Sequence, residues 1–242
     1  MKQALKMVSA ASSRAGADAL PAVMLRSWLM VVMVGLALGL GSHAGPAVSA
    51  PAPEQGKAPV ILVLGDSLSA AYGVPLDQGW VSLLQARLKS AGLPHRVVNA
   101  SVSGDTVAGG LARLPGLLER HEPELVIVEL GGNDGLRGFT PAQTADILNR
   151  IIRLARESGA EVLLVGVRLP PNYGTAYTER FQRMYQQVAE RNDVALVPRL
   201  LQGIAEEPAL MQPDGVHPVA AAQPRMLDNI WHGLAPMLGV SR

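Results

Sequence analysis

Short apolar runs alternate with helical patterns along this sequence, and this alternation constrains the fold more than any other feature. The first run, Val60–Leu64, is a continuous apolar stretch typical of a buried parallel strand. The sequence predicts four further strands and five long helices: strands at 96–100, 124–130, 161–167 and 194–197, and helices at 80–91, 107–121, 141–158, 175–191 and 220–238. Strands and helices in this order predict an α/β domain with a five-stranded parallel sheet and helices on both faces.

Two proline residues mark helix starts within this pattern. Thr140 stands directly before Pro141, which predicts an N-cap followed by proline at the first helical position. Pro224 is expected in the first turn of the last helix.

In the predicted parallel sheet, right-handed crossovers bring the C-terminal ends of all strands to one edge, which is where ligands bind in open α/β sheets.

Polar segments that contain glycine follow four of the predicted strands, three of them immediately. They are Gly65-Asp66-Ser67, Ser101-Val102-Ser103-Gly104-Asp105, Gly131-Gly132-Asn133-Asp134-Gly135 and, at a distance from the fifth strand, Asp214-Gly215-Val216-His217-Pro218. If the sheet is parallel, these four segments meet at one rim.

The residue types in these segments suit acyl transfer by serine. Such a reaction needs a hydroxyl nucleophile, an imidazole base and a carboxylate that orients the imidazole, and Ser67, His217 and Asp214 supply one of each. The Asp-x-x-His spacing lets both side chains come from one loop. The tetrahedral oxyanion needs donors, which the backbone N–H groups of Ser67 and Gly104 and the side-chain amide of Asn133 can provide.

Each of these residues also has a purely structural interpretation. Ser67 alone suits a helix N-cap, Gly104 a turn, and Asn133 with Asp134 the cap of a following helix. His217 before Pro218 is compatible with a cap of the last helix. Asp66 is interpreted as stiffening the turn through backbone hydrogen bonds. The joint placement of these residues after strands of one sheet favours the catalytic interpretation.

With these residues in view, the chain resembles the SGNH (GDSL-type) hydrolase family from about Val60 to Leu238. The family's four blocks occur in order, around Ser67, Gly104, Asn133 and His217. Longer segments resemble the periplasmic acyl-CoA thioesterase I, lysophospholipase L1 and arylesterase branch; they are Asn99–Thr106, Glu129–Gly138 and Arg168–Gly174.

The resemblance implies a three-layer, flavodoxin-like fold with Ser67 as nucleophile, His217 as base and Asp214 as its partner. It implies an oxyanion hole made by Ser67, Gly104 and Asn133. It also implies a mobile substrate-binding loop over the acyl groove, formed by Gly135, Leu136, Arg137, Gly138, Phe139 and Thr140.

Two other functions remain open from the sequence. Asp66, Asn133, Asp134 and His217 are possible metal ligands, so a metal-dependent phosphoesterase is one alternative, although two-metal sites need more than one histidine at the rim. A non-catalytic periplasmic binding module is the other. An α/β-hydrolase is disfavoured because no Gly-x-Ser-x-Gly elbow surrounds Ser67.

The first fifty residues follow the plan of a secretory signal. Arg26 precedes an almost wholly apolar run at 28–41, and small residues follow as far as Ala50. We expect cleavage between 44 and 52, with Met24 as a candidate true start, and a periplasmic or secreted product. The alternative is an uncleaved anchor, for which the run is short, since a span needs about 20 residues. A linker at 51–58 then precedes a single domain at 59–242.

Removal of residues 1–50 reverses the net charge. That segment holds four of the 21 Lys and Arg residues and one of the 20 Asp and Glu residues, so 17 and 19 remain, a formal charge of −2. We therefore expect no nucleic-acid partner. The chain has no cysteine, so an exported product relies on its core without disulfides. We expect a monomer with no obligate protein partner and no metal or organic cofactor, acting on a small acyl ester, thioester or lysophospholipid.

Overall fold

The computed structural model describes residues 57–240, so the predicted signal segment, its cleavage site and most of the linker lie outside the described residues. The strands are β1 (Val60–Gly65), β2 (Arg96–Asn99), β3 (Leu125–Glu129), β4 (Glu161–Val165) and β5 (Ala195–Val197). The α-helices are α1 (Trp80–Ser90), α2 (Val107–His121), α3 (Gly132–Leu136), α4 (Pro141–Glu157), α5 (Thr175–Asn192) and α6 (Gln223–Met237). Short 3₁₀ turns lie at Leu76–Gln78, Pro171–Tyr173, Pro208–Leu210 and Ala220–Ala222.

The five strands form one parallel sheet in the order β2-β1-β3-β4-β5. The predicted fold class is therefore confirmed. The chain moves from β1 to one neighbour, β2, and then crosses back to place β3 on the other side of β1. The strand order thus reverses between β1 and β3, and the loops after these strands border the crevice where ligands bind in such sheets.

Alternate side chains of each strand build a core on each face of the sheet. Leu62, Leu64 and Val126 pack against α2, α4 and α5, whereas Ile61 and Val63 pack against α1 and α6. The period of two follows from the pleat, which sends successive side chains to opposite faces. With both faces covered, strands β1 and β3 are buried along their whole length, including Glu129 at the end of the otherwise apolar β3.

The predicted helix starts are confirmed, with one refinement. Thr140 caps α4 by accepting a hydrogen bond from Gln143 N at 3.3 Å, and the Gln143 side chain accepts from Thr140 N at 3.0 Å, a reciprocal capping box. The last helix was predicted from residue 220, but a 3₁₀ turn occupies Ala220–Ala222 and α6 begins at Gln223. The α-helix begins there because Pro224 falls in its first turn, where proline's missing N–H has no intrahelical partner to lose.

One helix was missed, and it bears on the candidate site. The segment 132–136 forms the short helix α3, so Gly135 and Leu136, predicted as the start of a loop, are helical. Gly131 makes the sharp turn out of β3 with a φ of 112°, a conformation that favours glycine. Within residues 57–240, no helix is long and apolar enough to cross a membrane.

Candidate active site

Ser67 lies in the tight turn after β1, at the C-terminal edge of the sheet. The Asp66 carboxylate accepts a hydrogen bond from Leu68 N at 3.0 Å, and the Asp66 carbonyl accepts one from Ala70 N at 2.9 Å. Asp66 thus stiffens the turn, as the sequence predicts. Gly65 is needed where the strand enters the turn, because a Cβ there would lie 2.7 Å from the Ser69 side chain. The turn leaves Ser67 facing a cleft.

His217 and Asp214 come from the loop before α6 and meet Ser67 across 150 residues of sequence. His217 Nε2 lies 2.8 Å from Ser67 Oγ, and His217 Nδ1 lies 2.7 Å from Asp214 Oδ2. An ionised Asp214 only accepts hydrogen bonds, so Nδ1 must donate, and a neutral imidazole then leaves Nε2 as an acceptor for the serine proton. This arrangement allows His217 to act as a base toward Ser67.

The Asp214 carboxylate is held by its own loop. Its Oδ1 accepts hydrogen bonds from Val216 N at 2.9 Å and from His217 N at 3.0 Å. The backbone hydrogen bond from His217, with further help from the His217 ring and Val216 N, lowers the pKa of Asp214 to about 2. The carboxylate therefore stays ionised under ordinary conditions and keeps the imidazole in one orientation.

Gln212 ties this loop to the nucleophile turn. Its Nε2 donates to Tyr72 O at 2.9 Å and to Pro218 O at 3.0 Å, while its backbone N donates to His217 O at 2.7 Å. The Tyr72 ring lies over the His217 imidazole, with ring centroids 4.4 Å apart. Sequence reasoning missed both residues, since Tyr72 and Gln212 lie in segments that carry no motif and meet only in the fold.

Ser67 and Gly104, whose backbone N–H groups are predicted for the oxyanion hole, line the same cleft. Neither Ser67 N nor Gly104 N donates a hydrogen bond to another residue between 57 and 240. Gly104 adopts a φ of 79°, which a residue with a Cβ rarely does. The loop that carries it is held by Arg113, whose Nη2 donates to Asp105 Oδ2 at 2.6 Å and whose Nη1 donates to Ala100 O at 2.7 Å.

The amide of Asn133, the third predicted donor, is engaged on both sides. Its Nδ2 donates to Asp66 Oδ2 at 3.1 Å and to Asp105 O at 2.9 Å. These bonds fix the amide between the loops that carry Ser67 and Gly104. An oxyanion in the cleft would therefore share an Asn133 N–H with one of these acceptors. The next residue, Asp134, is buried inside α3 and accepts from Val107 N at 3.0 Å, so it binds the first turn of α2, whose N-cap is Thr106.

The cleft has a volume of about 510 Å³ and runs from the nucleophile turn across the ends of β3, β4 and β5. Its apolar wall is formed by Leu136, Val167, Leu169, Leu201 and Met211, and its polar lining includes Arg168, Arg199, Gln202 and Glu206. An apolar wall next to a nucleophile and oxyanion donors is suited to an acyl chain. The motif segments alone do not reveal this wall, because most of its residues follow β4 and β5.

Leu136 is the member of the predicted substrate-binding loop that lines the cleft. Two tyrosines of the following segments bind the backbone here: Tyr173 Oη donates to Leu136 O at 3.0 Å, and Tyr177 Oη donates to Phe139 O at 2.7 Å. The Phe139 side chain is exposed, and Arg137 donates to Gly104 O at 3.0 Å. The segment 135–140 thus rests on α5 and on the Gly104 loop.

Comparison with known proteins gives concordant similarities. Residues 63–223 match the GDSL-like Lipase/Acylhydrolase family. The chain is 55% identical over 185 residues to Esterase TesA of Pseudomonas aeruginosa, covering 76% of this chain and 92% of that protein. It is 46% identical over 181 residues to Thioesterase 1/protease 1/lysophospholipase L1 of Escherichia coli K12, covering 75% and 86%. A crystal structure of TesA superimposes with a TM-score of 0.72 at 56% identity, covering 74% of this chain and 99% of that one.

The matched region contains all four motif segments and the parallel sheet except the first three residues of β1. The similarity in structure extends over almost the full length of the TesA chain. On the strength of a family match from residue 63 to residue 223 and of relatives at 46% and 55% identity, this chain belongs to the GDSL-like Lipase/Acylhydrolase family.

Proposed function

We propose that this chain hydrolyses carboxylic esters and thioesters through an acyl-enzyme on Ser67. The observation that carries the proposal is the hydrogen-bonded series from Asp214 through His217 to Ser67, with distances of 2.7 and 2.8 Å, at the edge of an apolar cleft. Membership of an acylhydrolase family supports it. A binding module would have no use for a complete acid, base and nucleophile.

In the first step, Ser67 Oγ attacks the acyl carbonyl carbon while its proton passes to His217 Nε2. The new C–O bond leaves a negative charge on the carbonyl oxygen, which the N–H groups of Ser67 and Gly104 and the amide of Asn133 stabilise. The imidazolium forms next to the Asp214 carboxylate, which stabilises its charge. The tetrahedral intermediate then collapses, the bond to the leaving group breaks, and the alcohol or thiol departs with the proton from Nε2.

In the second step, water attacks the acyl-enzyme. His217 Nε2 takes a proton from the water, and the hydroxide oxygen bonds to the acyl carbon. Collapse of the second intermediate releases the carboxylic acid and returns the proton to Ser67 Oγ. Every proton in this scheme moves through Nε2, and no metal or organic cofactor takes part.

The substrates we propose are small acyl esters, thioesters and lysophospholipids. The apolar wall of the cleft supports an acyl chain lying across the ends of β3 to β5. The names of the relatives point the same way: esterase, thioesterase and lysophospholipase. A panel of p-nitrophenyl esters and acyl thioesters of graded chain length would test the range, and activity on no member of the panel would contradict the proposal.

The nucleophile is tested by Ser67→Ala, with Ser82→Ala as a matched control. Ser82 is exposed away from the cleft, and its hydroxyl donates to Leu76 O at 2.6 Å. We expect Ser67→Ala to abolish covalent labelling by a fluorophosphonate and nearly all ester hydrolysis, and Ser82→Ala to keep both. Labelling of Ser67→Ala at the wild-type rate would rule out Ser67 as the nucleophile.

EDTA tests the metal-dependent alternative. It should leave the wild-type activity unchanged, whereas it would inactivate a metal-dependent phosphoesterase.

We also propose export and a monomeric state. The basic, apolar and small-residue order of the first fifty residues supports export, with the periplasm as the destination. N-terminal sequencing of the protein recovered from the periplasm should give a start between residues 45 and 52; recovery of the intact N-terminus in a membrane fraction would indicate an uncleaved anchor. Size-exclusion chromatography with light scattering tests the monomer.

A further inference from the structure

Two carboxyl groups are buried together beneath the nucleophile turn, and the mechanism above uses neither. Asp66 follows β1 and is 2% exposed, while Glu129 ends β3 and is fully buried. The parallel pairing of Gly65 with Glu129 brings them side by side, and the nearby Asp66 side chain is one cause, after burial, of the raised pKa of Glu129. A buried acid requires an explanation, because an ion in a dry interior loses its hydration.

The contacts of the pair connect β3 to the oxyanion hole. Glu129 Oε2 accepts from Ser69 Oγ at 2.7 Å and, more weakly, from Asp66 N at 3.5 Å. Asp66 in turn accepts from Leu68 N at 3.0 Å through Oδ1 and from Asn133 Nδ2 at 3.1 Å through Oδ2. The Asp66 carboxyl therefore touches both the nucleophile turn and the predicted oxyanion donor, and Glu129 lies behind it.

The charge of the pair follows from its surroundings. Between residues 57 and 240, no Lys or Arg donates a hydrogen bond to either carboxyl. The titratable groups that face the pair are His217 from the loop before α6, Asp105 from the loop before α2 and Tyr185 of α5. Only His217 among them can carry a positive charge, so two negative charges side by side would be poorly compensated.

The proton is assigned to Glu129 by the contacts of its oxygens. Glu129 Oε1 is buried and has no hydrogen-bond partner within the described part of the chain, which is costly for a carboxylate oxygen. Asp66 accepts hydrogen bonds on both of its oxygens, which favours its ionised form. In agreement, burial raises the pKa of Glu129 well above its usual range, whereas burial raises the pKa of Asp66 only to about 6.

We propose that Glu129 is a positioning residue of the active site, which keeps a proton at neutral pH and donates it in a hydrogen bond to Asp66. The Asp66 carboxylate, held in this way, fixes the Asn133 amide between the loops of Ser67 and Gly104, where an oxyanion can share its N–H, and keeps the turn in place around Ser67. The inference rests on the proposed function, in which Asn133 stabilises the oxyanion. Glu129 touches neither the substrate nor the reacting atoms, and acts through Asp66.

The pair gives the enzyme a pH dependence on its acid side. Asp66 is ionised above about pH 6 and gains a proton as the pH falls through that value. A neutral carboxyl is a weaker acceptor than a carboxylate, so its hold on Asn133 weakens below that pH. Because burial raises the pKa of Glu129 well above its usual range, the negative charge of the pair resides on Asp66.

Two substitutions at one position separate positioning from simple support of the fold. In Glu129→Gln, the amide nitrogen can donate to Asp66 and the amide oxygen can accept from Ser69, so we expect kcat within about threefold of wild type. In Glu129→Leu the donor is lost, and we expect kcat to fall about 10-fold to 100-fold with KM within about twofold, less than the loss from removing an oxyanion donor outright. The conservative variant thus rescues the reaction.

Gln223→Leu is the matched control for loss of a buried polar side chain. Gln223 is 2% exposed and accepts from Trp80 N at 3.0 Å, at the start of α6 and outside the cleft. We expect it to lower the thermal midpoint and leave kcat unchanged, which shows that instability alone does not reduce kcat. Equal losses of kcat in Glu129→Gln and Glu129→Leu would overturn the proposal, as would wild-type kcat in folded Glu129→Leu.

The protonation state is measured in the wild-type protein, so it needs no variant to fold. The ¹³C chemical shift of the Glu129 side-chain carboxyl, assigned with Glu129→Gln, should report a protonated acid at pH 7.5. An ionised carboxylate at that pH would overturn the proposal.

Fluorophosphonate labelling distinguishes failure of the proposed function from failure of this inference. If wild type is not labelled at Ser67, the proposed function fails. Slow labelling of Glu129→Leu beside rapid labelling of wild type supports the positioning role of Glu129.

Discussion

At the scale of single residues, the spacing Asp-x-x-His gives one carboxylate two tasks. Asp214 Oδ2 binds the imidazole, while Oδ1 closes a turn by accepting from the backbone of Val216 and His217. Two intervening residues are enough for the chain to fold back on itself in this way, with Gly215 at a φ of 67°. The same hydrogen bonds that orient the base therefore stabilise the charge of its partner.

This double task predicts an acid-dependent loss of stability. The pKa of Asp214 falls from an ordinary 3.8 to about 2 on folding, so its contribution is present above about pH 4 and is lost as the pH falls toward 2. Asp214→Asn removes this titration. We expect the thermal midpoint of wild type to drop more than that of Asp214→Asn between pH 4 and pH 2.5, measured by circular dichroism. Parallel pH profiles for the two proteins would contradict the assignment.

Asn133 is expected to act on the rate and not on substrate binding. Its amide lies between the loops of Ser67 and Gly104 and can stabilise the charge that develops on the carbonyl oxygen. Asn133→Ala should therefore remove about 3 kcal/mol of transition-state stabilisation. This loss should lower kcat and leave KM nearly unchanged. Steady-state kinetics on a p-nitrophenyl ester measure both parameters, and a loss confined to KM would make Asn133 a ground-state binding residue.

At the scale of secondary-structure elements, α2 contains glycines with opposite roles. Gly116 is exposed, and a Cβ added there would meet nothing within 4 Å. Gly110 is buried, and a Cβ added there would collide with the Leu130 side chain, so the missing side chain allows α2 to approach β3 closely. Glycine lowers the helix propensity of α2 at both positions. At Gly110 this allows close packing, whereas at Gly116 no neighbouring atom requires it.

Alanine substitutions should separate these roles. Gly116→Ala should raise the free energy of unfolding by about 0.5–1 kcal/mol, because alanine loses less backbone entropy in a helix. Gly110→Ala should lower it by about 1–3 kcal/mol, the usual range for overpacking. Urea unfolding of both variants tests this, and a stabilised Gly110→Ala would show that Leu130 moves aside freely.

The elements also show where prediction from sequence reaches its limit. The strands and long helices were predicted to within a few residues, because apolar periodicity and caps such as Thr140 are local signals. Helix α3 was missed because Gly132-Asn-Asp-Gly-Leu136 has weak intrinsic helix propensity. It forms next to anchors that lie far away in sequence, including the hydroxyl of Tyr177, which donates to Gly135 O at 3.1 Å.

At the scale of the whole molecule, stability should be graded from the centre of the sheet to its edge. Val126 in the central strand β3 is fully buried between layers, whereas Val97 in the edge strand β2 is half-buried. Replacing each valine by alanine should therefore lower the free energy of unfolding by different amounts. The cavity left at Val126 is deep and cannot be filled by solvent or by relaxation of neighbours.

We expect Val126→Ala to lower the free energy of unfolding by about 2–3 kcal/mol and Val97→Ala by about 1 kcal/mol or less. Chemical denaturation monitored by tryptophan fluorescence measures both, with Trp80 buried against α6 as one reporter. Equal losses would indicate that the β2 edge is as tightly packed as the centre, contrary to the half-burial of Val97.

The sequence by itself determined the alternation of strands and helices, the fold class and the four polar segments that end at one sheet edge. These follow from local periodicity and from the geometry of parallel strands, which place loops after strands on the same side. The structure brings Ser67, His217 and Asp214 within hydrogen-bond distance, and their catalytic roles stay predictions that the kinetic tests above address.

Only the tertiary structure decided the strand order, the apolar wall of the cleft and the neighbours of the predicted catalytic groups. Tyr72 lies over His217, and Glu129 lies against Asp66, although 145 and 63 positions separate these pairs in the sequence. Such contacts depend on which strands become neighbours, a choice made by packing both faces of the sheet at once. No local pattern encodes them, because each residue is ordinary in its own segment and acquires its role from what folds against it.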